Sequence, residues 1–278
     1  MTGRGGTALV AHIGFPTDGF VSPLIYNPYF EQAGIDAVVV PMGCRAEDYP
    51  AFLRAVFTLT NIRGALVTMP HKVTTAALVD DASPAVRLAG SCNAVRRSQD
   101  GRLQGDLFDG EGFVRALKRN GCRLQGARAL VVGTGGVGSA IAASLATAGA
   151  TSLALMDAQP ATARAVAERL ARHFPSLEVS AGDGAPGGRD LVVNATPLGM
   201  REGDPLPIEV SRLAPDTFVG DVVMAADTTP LIAAARARGC RVQPGTDMLF
   251  EQIPLYLEFF GFPGTTPEHL RRIAGRPA

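Results

Sequence analysis

Short apolar runs alternate with longer segments of helical spacing along most of the chain. Ala8–Ile13, Ala37–Val40 and Gly64–Thr68 read as the first strands, each followed by a loop marked with glycine or proline. Between them lie two expected helices, Leu24–Ala33 and Ala46–Thr58, the first entered through Pro23 with Ser22 as its N-cap. Helical material continues from Met69-Pro70-His71-Lys72 to about Leu88. The turn signal Asp100-Gly101 then predicts a hairpin that pairs Ala94–Arg97 with Leu103–Gly105. A second series starts at Ala129, with strands at Ala129–Val132, Leu153–Met156, Asp190–Asn194, Phe218–Val223 and Arg241–Gln243. Its helices are Ser139–Ala148 and Pro160–Phe174. Glu111–Asn120 reads as a helix bridging the two series, and the apolar helix Met248–Phe260 follows the second. Strands alternating with helices in this way predict an α/β protein with mainly parallel sheets. A terminal helix often packs back on the first unit. The expected organisation is therefore a discontinuous substrate-binding domain, residues 1–112 with 247–278, and a Rossmann dinucleotide-binding domain, residues 113–246.

The junction Ala129–Gly138 carries the first chemical signal. An apolar strand runs into Gly133, Gly135, Gly136, Val137 and Gly138, and then into a helix. In the strand–turn–helix context a Gly-x-Gly-x-x-Gly match predicts dinucleotide binding. Gly133 permits the tight turn, Gly135 lets backbone approach a pyrophosphate, and Gly138 lets the helix pack closely on the strand. The unpaired N–H groups of the helix start then face the phosphates. Asp157 ends the second strand, about 20 residues past the turn, where a carboxylate accepts both ribose hydroxyls and repels a 2′-phosphate. The next residues are Ala158, Gln159 and Pro160, with no arginine among them. That predicts NAD as the preferred cofactor, with NADP possible through Arg164 one helical turn further on. The same aspartate could instead cap the helix that starts at Pro160. Thr196, in Asn194-Ala195-Thr196-Pro197, is placed either to contact the cofactor at the mouth of the nucleotide pocket or to close a structural turn.

Composition narrows the partners. Hydrophobic residues make up 46% and charged residues 19%, an ordinary globular balance. Twenty-six basic residues offset 26 acidic ones, which points away from nucleic acid or an anionic membrane as partner. No apolar run approaches the roughly 20 residues of a membrane span. Met1–Thr7 is short and glycine-rich, unlike a signal peptide. Cys44, Cys92, Cys122 and Cys240 are scattered, as are His12, His71, His173 and His269. Neither set has the spacing of a metal site, so the expectation is a cytoplasmic protein with reduced thiols and no metal; a small-molecule partner and a monomer or homodimer are separate expectations.

Lys72 and Asp109 are the candidate proton-transfer pair. Each follows a strand-like segment in a loop marked by glycine or proline. Oxidation of a secondary alcohol by hydride loss requires a base for the hydroxyl proton, and a positioned lysine with a carboxylate partner can serve. Spacing alone leaves open that they are two surface-loop charges. His71 reads as a loop histidine beside Pro70, and Asp106 as a turn former. Tyr26 and Asn27 are candidates for lining the substrate loop.

Several ordered blocks then point to one family. Val67-Thr68-Met69-Pro70-His71-Lys72 is similar to the Val-Thr-x-Pro-x-Lys signature of the shikimate dehydrogenase family. Ala89-Gly90-Ser91-Cys92-Asn93 and Gly105-Asp106-Leu107-Phe108-Asp109-Gly110 are similar to its Ala-Gly-Ala-x-Asn and Gly-Asp-Asn-Thr-Asp-Gly blocks. Asn194-Ala195-Thr196-Pro197-x-Gly199-Met200, Asp221 with Thr229-Pro230-Leu231, and Gly245-x-x-Met248-Leu249-x-x-Gln252 continue the match. The resemblance implies a two-domain enzyme with a cleft between the domains. It implies reversible hydride transfer between NAD(P) and the C3 hydroxyl or ketone of shikimate, quinate or a related cyclic hydroxy acid. By the same resemblance Lys72 and Asp109 are the catalytic pair, and Ser22, Thr68, Asn93 and Gln252 contact the substrate.

The chain also departs from the family pattern. The usual first loop is Gly-x-Pro-x-x-His-Ser-x-Ser-Pro, whose two serines hold the substrate carboxylate. Here Gly14-Phe15-Pro16-Thr17-Asp18-Gly19-Phe20-Val21-Ser22-Pro23 keeps only Ser22, and Phe20 stands at the first serine. Losing a hydroxyl donor to a carboxylate costs on the order of 1.5–3 kcal/mol, a factor of roughly 10 to 150 in affinity. Leu107-Phe108 replaces Asn-Thr before Asp109, and Met224 replaces an aromatic hydroxyl. The expectation is dehydrogenase chemistry on an altered or less polar ring, or weak activity on shikimate itself. The alternative of another class is a sensor that binds nucleotide or a shikimate-like acid without turnover.

Overall fold

The computed structural model describes residues 5–182, 184–224 and 228–275. Residues 1–4 of the glycine-rich start and residue 183 of the Gly182–Gly188 loop thus lie outside the described residues. The chain divides into two compact units, Met1–Phe108 with Ile253–Ala278, and Asp109–Gln252.

Unit 1 opens with β1 (Ala8–Gly14), α1 (Pro23–Gln32), β2 (Ala37–Gly43), α2 (Tyr49–Val56) and β3 (Ile62–Val67). It continues through α3 (Lys72–Leu78), β4 (Asp81–Ala82), α4 (Pro84–Ala89), β5 (Ala94–Arg97) and β6 (Leu103–Asp106). The sheet order is β2-β1-β3-β5-β6-β4. β1 runs parallel to both β2 and β3, while β5 is antiparallel to β3 and to β6. The expected hairpin forms at Ala94–Arg97 and Leu103–Asp106. The helical stretch expected up to Leu88 is instead two short helices around β4. Ser83 breaks it by capping α4, its hydroxyl accepting a hydrogen bond from Val86 N–H ahead of Pro84.

Unit 2 begins with α5 (Asp109–Arg119), β7 (Arg128–Val132), α6 (Gly136–Thr147), β8 (Ser152–Met156), α7 (Pro160–His173) and β9 (Glu178–Ala181). Then come β10 (Leu191–Asn194), β11 (Phe218–Asp221), α8 (Pro230–Ala237), β12 (Arg241–Gln243) and α9 (Gly245–Phe259), whose residues from Ile253 onward are counted in unit 1. Its sheet is parallel in the order β12-β11-β10-β7-β8-β9. This is the doubly wound order, which reverses between β7 and β10 and so places a ligand crevice at the carboxyl ends of those two strands. The residues explain the layering: Leu130, Val131, Leu191, Val192 and Val193 are fully buried, as strands covered on both faces require. On α7, Ala163, Val166, Ala167 and Leu170 form one buried stripe at helical spacing. The expected domain limits, after residue 112 and before residue 247, fall inside α5 and α9. The last helix of unit 1, α10 (Pro267–Ile273), packs on α1, where His269 meets the Tyr29 ring edge-on at 6.3 Å between centroids. Among the described residues no helix is long and apolar enough to cross a membrane.

Candidate active site

In unit 1, the ends of β1 and β3 bring two loops together. Ile13 and Val67 are register partners, and beyond them Thr68 N–H donates to Ile13 C=O at 2.9 Å while Phe15 N–H donates to Met69 C=O at 2.9 Å. Gly14 lies between the loops. A Cβ there would meet Thr68 Cγ2, the Met69 carbonyl at 2.8 Å and the tip of the Phe20 ring at 2.9 Å, so only glycine fits. Lys72 opens α3 and is buried, and its carbonyl accepts from Cys92 N–H at 2.8 Å. Asn93 follows at the start of β5, fully buried. Its Oδ1 accepts from Phe108 N–H at 3.0 Å, whereas its Nδ2 donor has no protein partner. Buried side-chain polar atoms are nearly always paired, so an orphan donor beside the Lys72 loop is suited to a ligand acceptor.

Ser22 differs from its sequence expectation. Ser83, Thr229 and Thr266 start helices ahead of proline with extended backbones, and each hydroxyl accepts from the N–H three residues on. Ser22 also precedes proline, but its backbone is already helical, with φ −51 and ψ −45, and its side chain makes no capping bond. Its hydroxyl is thus not committed to α1. Asn27 is structural: its amide closes a two-bond bridge to Val39, accepting from N–H at 2.8 Å and donating to C=O at 3.2 Å. Tyr26 is buried with its hydroxyl unpartnered.

His71 and Asp106 support the loops. The His71 ring stacks on Tyr49 with centroids 3.9 Å apart, and its Nε2 pairs with Cys44 C=O at 2.9 Å. Burial lowers the His71 pKa, against the opposing effect of that carbonyl. Asp106 accepts from Ser83 and from Leu107 N–H. The two apolar replacements before Asp109 turn out to serve packing. Leu107 and Phe108 are both buried, and Phe108 meets Tyr256 and Phe259 edge-on at 5.0 and 5.7 Å. Phe108, an apolar departure from the family pattern, thus fills the core of unit 1. Met224, in unit 2, is partly exposed.

One residue that sequence reasoning passed over is His12, which carried only the absence of metal spacing. It lies in β1, 7% exposed, stacked on Phe20 with centroids 4.0 Å apart and planes 23° apart. Its Nδ1 is buried without a hydrogen-bond partner. Burial first, and then the nearby Lys72 charge, lower its pKa to about 4.

In unit 2, Gly133 follows β7 with φ +90°, and a Cβ there would meet the Ala195 carbonyl group at 2.8 Å. A Cβ on Gly138 would overlap the Gly133 carbonyl oxygen, which forces glycine where α6 crosses the strand end. Gly135 is different: a Cβ there would meet no protein atom within 4 Å. Packing does not call for glycine at that point, whereas close approach of a pyrophosphate does, so the turn fits a dinucleotide. Gly136 and Val137 start α6, and first-turn N–H groups have no acceptor within a helix.

Asp157 is held at the turn. Its Oδ2 accepts from Thr134 N–H at 2.7 Å and from the Thr134 hydroxyl at 2.9 Å, and its Oδ1 accepts from Gln159 N–H at 2.9 Å. Burial opposes its charge, but these bonds prevail and keep the carboxyl below its ordinary range. Thr196 is committed locally: its hydroxyl donates to Asn194 Oδ1 at 2.6 Å and accepts from Leu198 N–H at 3.1 Å. Asn194 in turn donates to Asp221, which also accepts from the Thr229 hydroxyl at 2.6 Å. Burial pushes the Asp221 carboxyl up despite these bonds. This network, of which the sequence showed only the separate blocks, joins the ends of β10 and β11 to the start of α8.

Asp109 is buried at the first position of α5. Gln252 lies on α9 against α5, where a Cβ on Gly112 would meet its Cβ at 2.8 Å. Its Oε1 is buried and unpartnered.

The His12 environment yields a stability prediction. The unfolded chain protonates His12 below about pH 6.5, whereas the folded chain resists until about pH 4. Between those values the unfolded state binds more protons, so stability falls as pH drops. The unfolding free energy of the parent, minus that of His12→Leu, should decline by up to roughly 3 kcal/mol from neutral pH to pH 4. A pH-independent difference in urea unfolding would contradict a buried neutral imidazole.

Comparison with known proteins agrees with this geometry. Residues 13–95 match the shikimate dehydrogenase substrate binding domain. A shikimate dehydrogenase (NADP(+)) of Rubrobacter xylanophilus is 40% identical over 252 residues, covering 89% of this chain and 88% of that protein. Quinate dehydrogenase from Corynebacterium glutamicum, solved in complex with NAD, superposes with a TM-score of 0.86 at 29% identity, covering 96% and 98% of the two chains. The ligand-free 5-ketofructose reductase of a Gluconobacter strain gives a TM-score of 0.85 at 26% identity, covering 97% and 98%. The chain belongs to the shikimate dehydrogenase family.

Proposed function

We propose that the protein is a cytoplasmic oxidoreductase that interconverts the C3 hydroxyl and ketone of shikimate, quinate or a related cyclic hydroxy acid. The observation that carries this reading is the buried Lys72 at the start of α3, beside Asn93 with its unpartnered buried Nδ2. A nicotinamide, when bound, supplies the hydride acceptor or donor. The turn Gly133, Gly135, Gly136, Val137 and Gly138 would hold its pyrophosphate, with Thr196 shaping the neighbouring wall. Lys72 takes the hydroxyl proton at Nζ during oxidation and returns it during reduction, with Asp109 as the carboxylate of the proton-transfer pair. Asn93 donates through Nδ2 to a ring oxygen substituent, Thr68 and Ser22 offer hydroxyls, and Gln252 presents Oε1 to a ring hydroxyl. The family pattern supports Lys72, Asp109, Thr68, Asn93 and Gln252 in this site, and Ser22 as the serine the substrate loop retains.

Asp157 supports NAD over NADP. Its carboxylate is fixed at the end of β8 by three hydrogen bonds and kept charged, where it favours ribose hydroxyls over a 2′-phosphate. The name of the Rubrobacter relative carries NADP(+), so the preference rests on Asp157 and not on that relative.

Initial rates, followed by nicotinamide absorbance with shikimate and quinate, test both readings. The expected kcat/KM with NAD exceeds that with NADP by about tenfold or more, equivalent to about 1.4 kcal/mol; equal values or the reverse order contradict the role of Asp157. Lys72→Ala is expected to lower kcat by about two orders of magnitude or more while leaving NAD affinity, measured by calorimetry, unchanged. Parent-like turnover of that variant would remove Lys72 from the mechanism. Ring binding without any turnover by the parent would favour the sensor reading.

A further inference from the structure

The substrate loop carries an observation that the family pattern does not absorb. Phe20 stands where the family places the first of two carboxylate-holding serines, and its ring is half-buried, stacked on His12 and reaching Gly14 at the junction with Thr68. The stack lies in the same strand-end cluster as Lys72, whose charge is felt by His12. In place of a hydroxyl donor this wall offers an aromatic face and an imidazole. Burial and the Lys72 charge keep the imidazole uncharged at neutral pH. Its Nδ1 is buried and has no protein partner, and a neutral imidazole nitrogen can pair with a hydroxyl as donor or acceptor. A carboxylate against this wall would lose its hydration with the Ser22 hydroxyl as the surviving donor of the pair. An uncharged polyhydroxylated ring has no charge to desolvate and can lay a C–H face on Phe20.

We infer that the Phe20–His12 stack makes this protein selective for an uncharged cyclic polyol or its ketone, over the ring that carries a carboxylate at that position. The inference rests on the proposed hydride-transfer reading for its chemistry and replaces the acid ring of that reading with an uncharged one. Phe20 acts as the specificity determinant through its face, and His12 positions that ring by stacking on it.

The test compares shikimate with the neutral ring in which hydroxymethyl replaces the carboxylate, using the full-length parent, Phe20→Ser and Phe20→Leu. Affinities are read by calorimetry, and kcat/KM with both nicotinamide dinucleotides. The parent is expected to bind and turn over the neutral ring at least tenfold better. Phe20→Ser should move the ratio toward shikimate by roughly 10- to 150-fold, the value of one hydroxyl donor to a carboxylate. Phe20→Leu, which keeps an apolar wall, should retain the neutral preference and so separates selectivity from misfolding. A parent that prefers shikimate, a Phe20→Ser ratio equal to the parent's, or binding of neither ring would overturn the inference. The hydride-transfer reading fails separately: no turnover of either ring, with the neutral ring still bound more tightly, would sink the chemistry and leave the selectivity standing.

Discussion

The close pairing of β1 with β3 is the constraint on which the substrate-binding unit depends. Two backbone hydrogen bonds past the last register pair hold the following loops together, and Gly14 between them has no room for a side chain. The segments that carry Phe20 and Lys72, 52 positions apart in number, are therefore anchored on adjacent strand ends. A side chain on Gly14 would push against Thr68, the Met69 carbonyl and Phe20 together, so this glycine ties the loop that carries Phe20 to the loop that leads to Lys72. The chemistry of the site follows from that coupling. A lysine placed by a strand end and buried in the first turn of α3 has a defined direction of approach, which a surface lysine lacks.

The nucleotide unit obeys an analogous constraint with different residues. At Gly133 and Gly138 the protein itself excludes a side chain, whereas at Gly135 it does not. This difference divides a glycine-rich motif into its structural and its ligand-facing parts. Behind the turn, the Asn194–Asp221–Thr229 network holds the ends of β10 and β11, so Thr196 is better understood as shaping the wall than as donating its hydroxyl. Burial raises the Asp221 carboxyl, and the network is satisfied all the same, consistent with a scaffold role.

Much of this was legible in the sequence, for physical reasons. Strands buried on both faces read as continuous apolar runs, so β7 and β10 were placed within a residue or so. The Asp100-Gly101 turn placed its hairpin because turn chemistry is local. What escaped was either weak in pattern or long in range. β9 is a four-residue edge strand of half-exposed residues, with too little apolar periodicity to announce itself. α8 and α10 are short and begin with Thr-Pro caps that were not read as helix starts. Phe108 was read as a missing polar group, because its partners Tyr256 and Phe259 lie at the far end of the chain. Ser22 has the sequence of a cap but not the extended backbone a cap requires. His12 gained meaning only once the loop folded Phe20 back on it. The charged and glycine candidates come from motifs, while the Phe20–His12 stack does not, since it depends on a contact that local pattern does not encode.

Everything assigned to the two loops and the glycine turn depends on one step, hydride transfer between a ring carbon and a nicotinamide. It is tested most directly with a ring alcohol deuterated at the reacting carbon, incubated with oxidised cofactor and the full-length protein. Mass spectrometry of the reduced cofactor should find the deuterium in the nicotinamide. Deuterium released to solvent, or no reduced cofactor with any ring that the protein binds, would contradict the account.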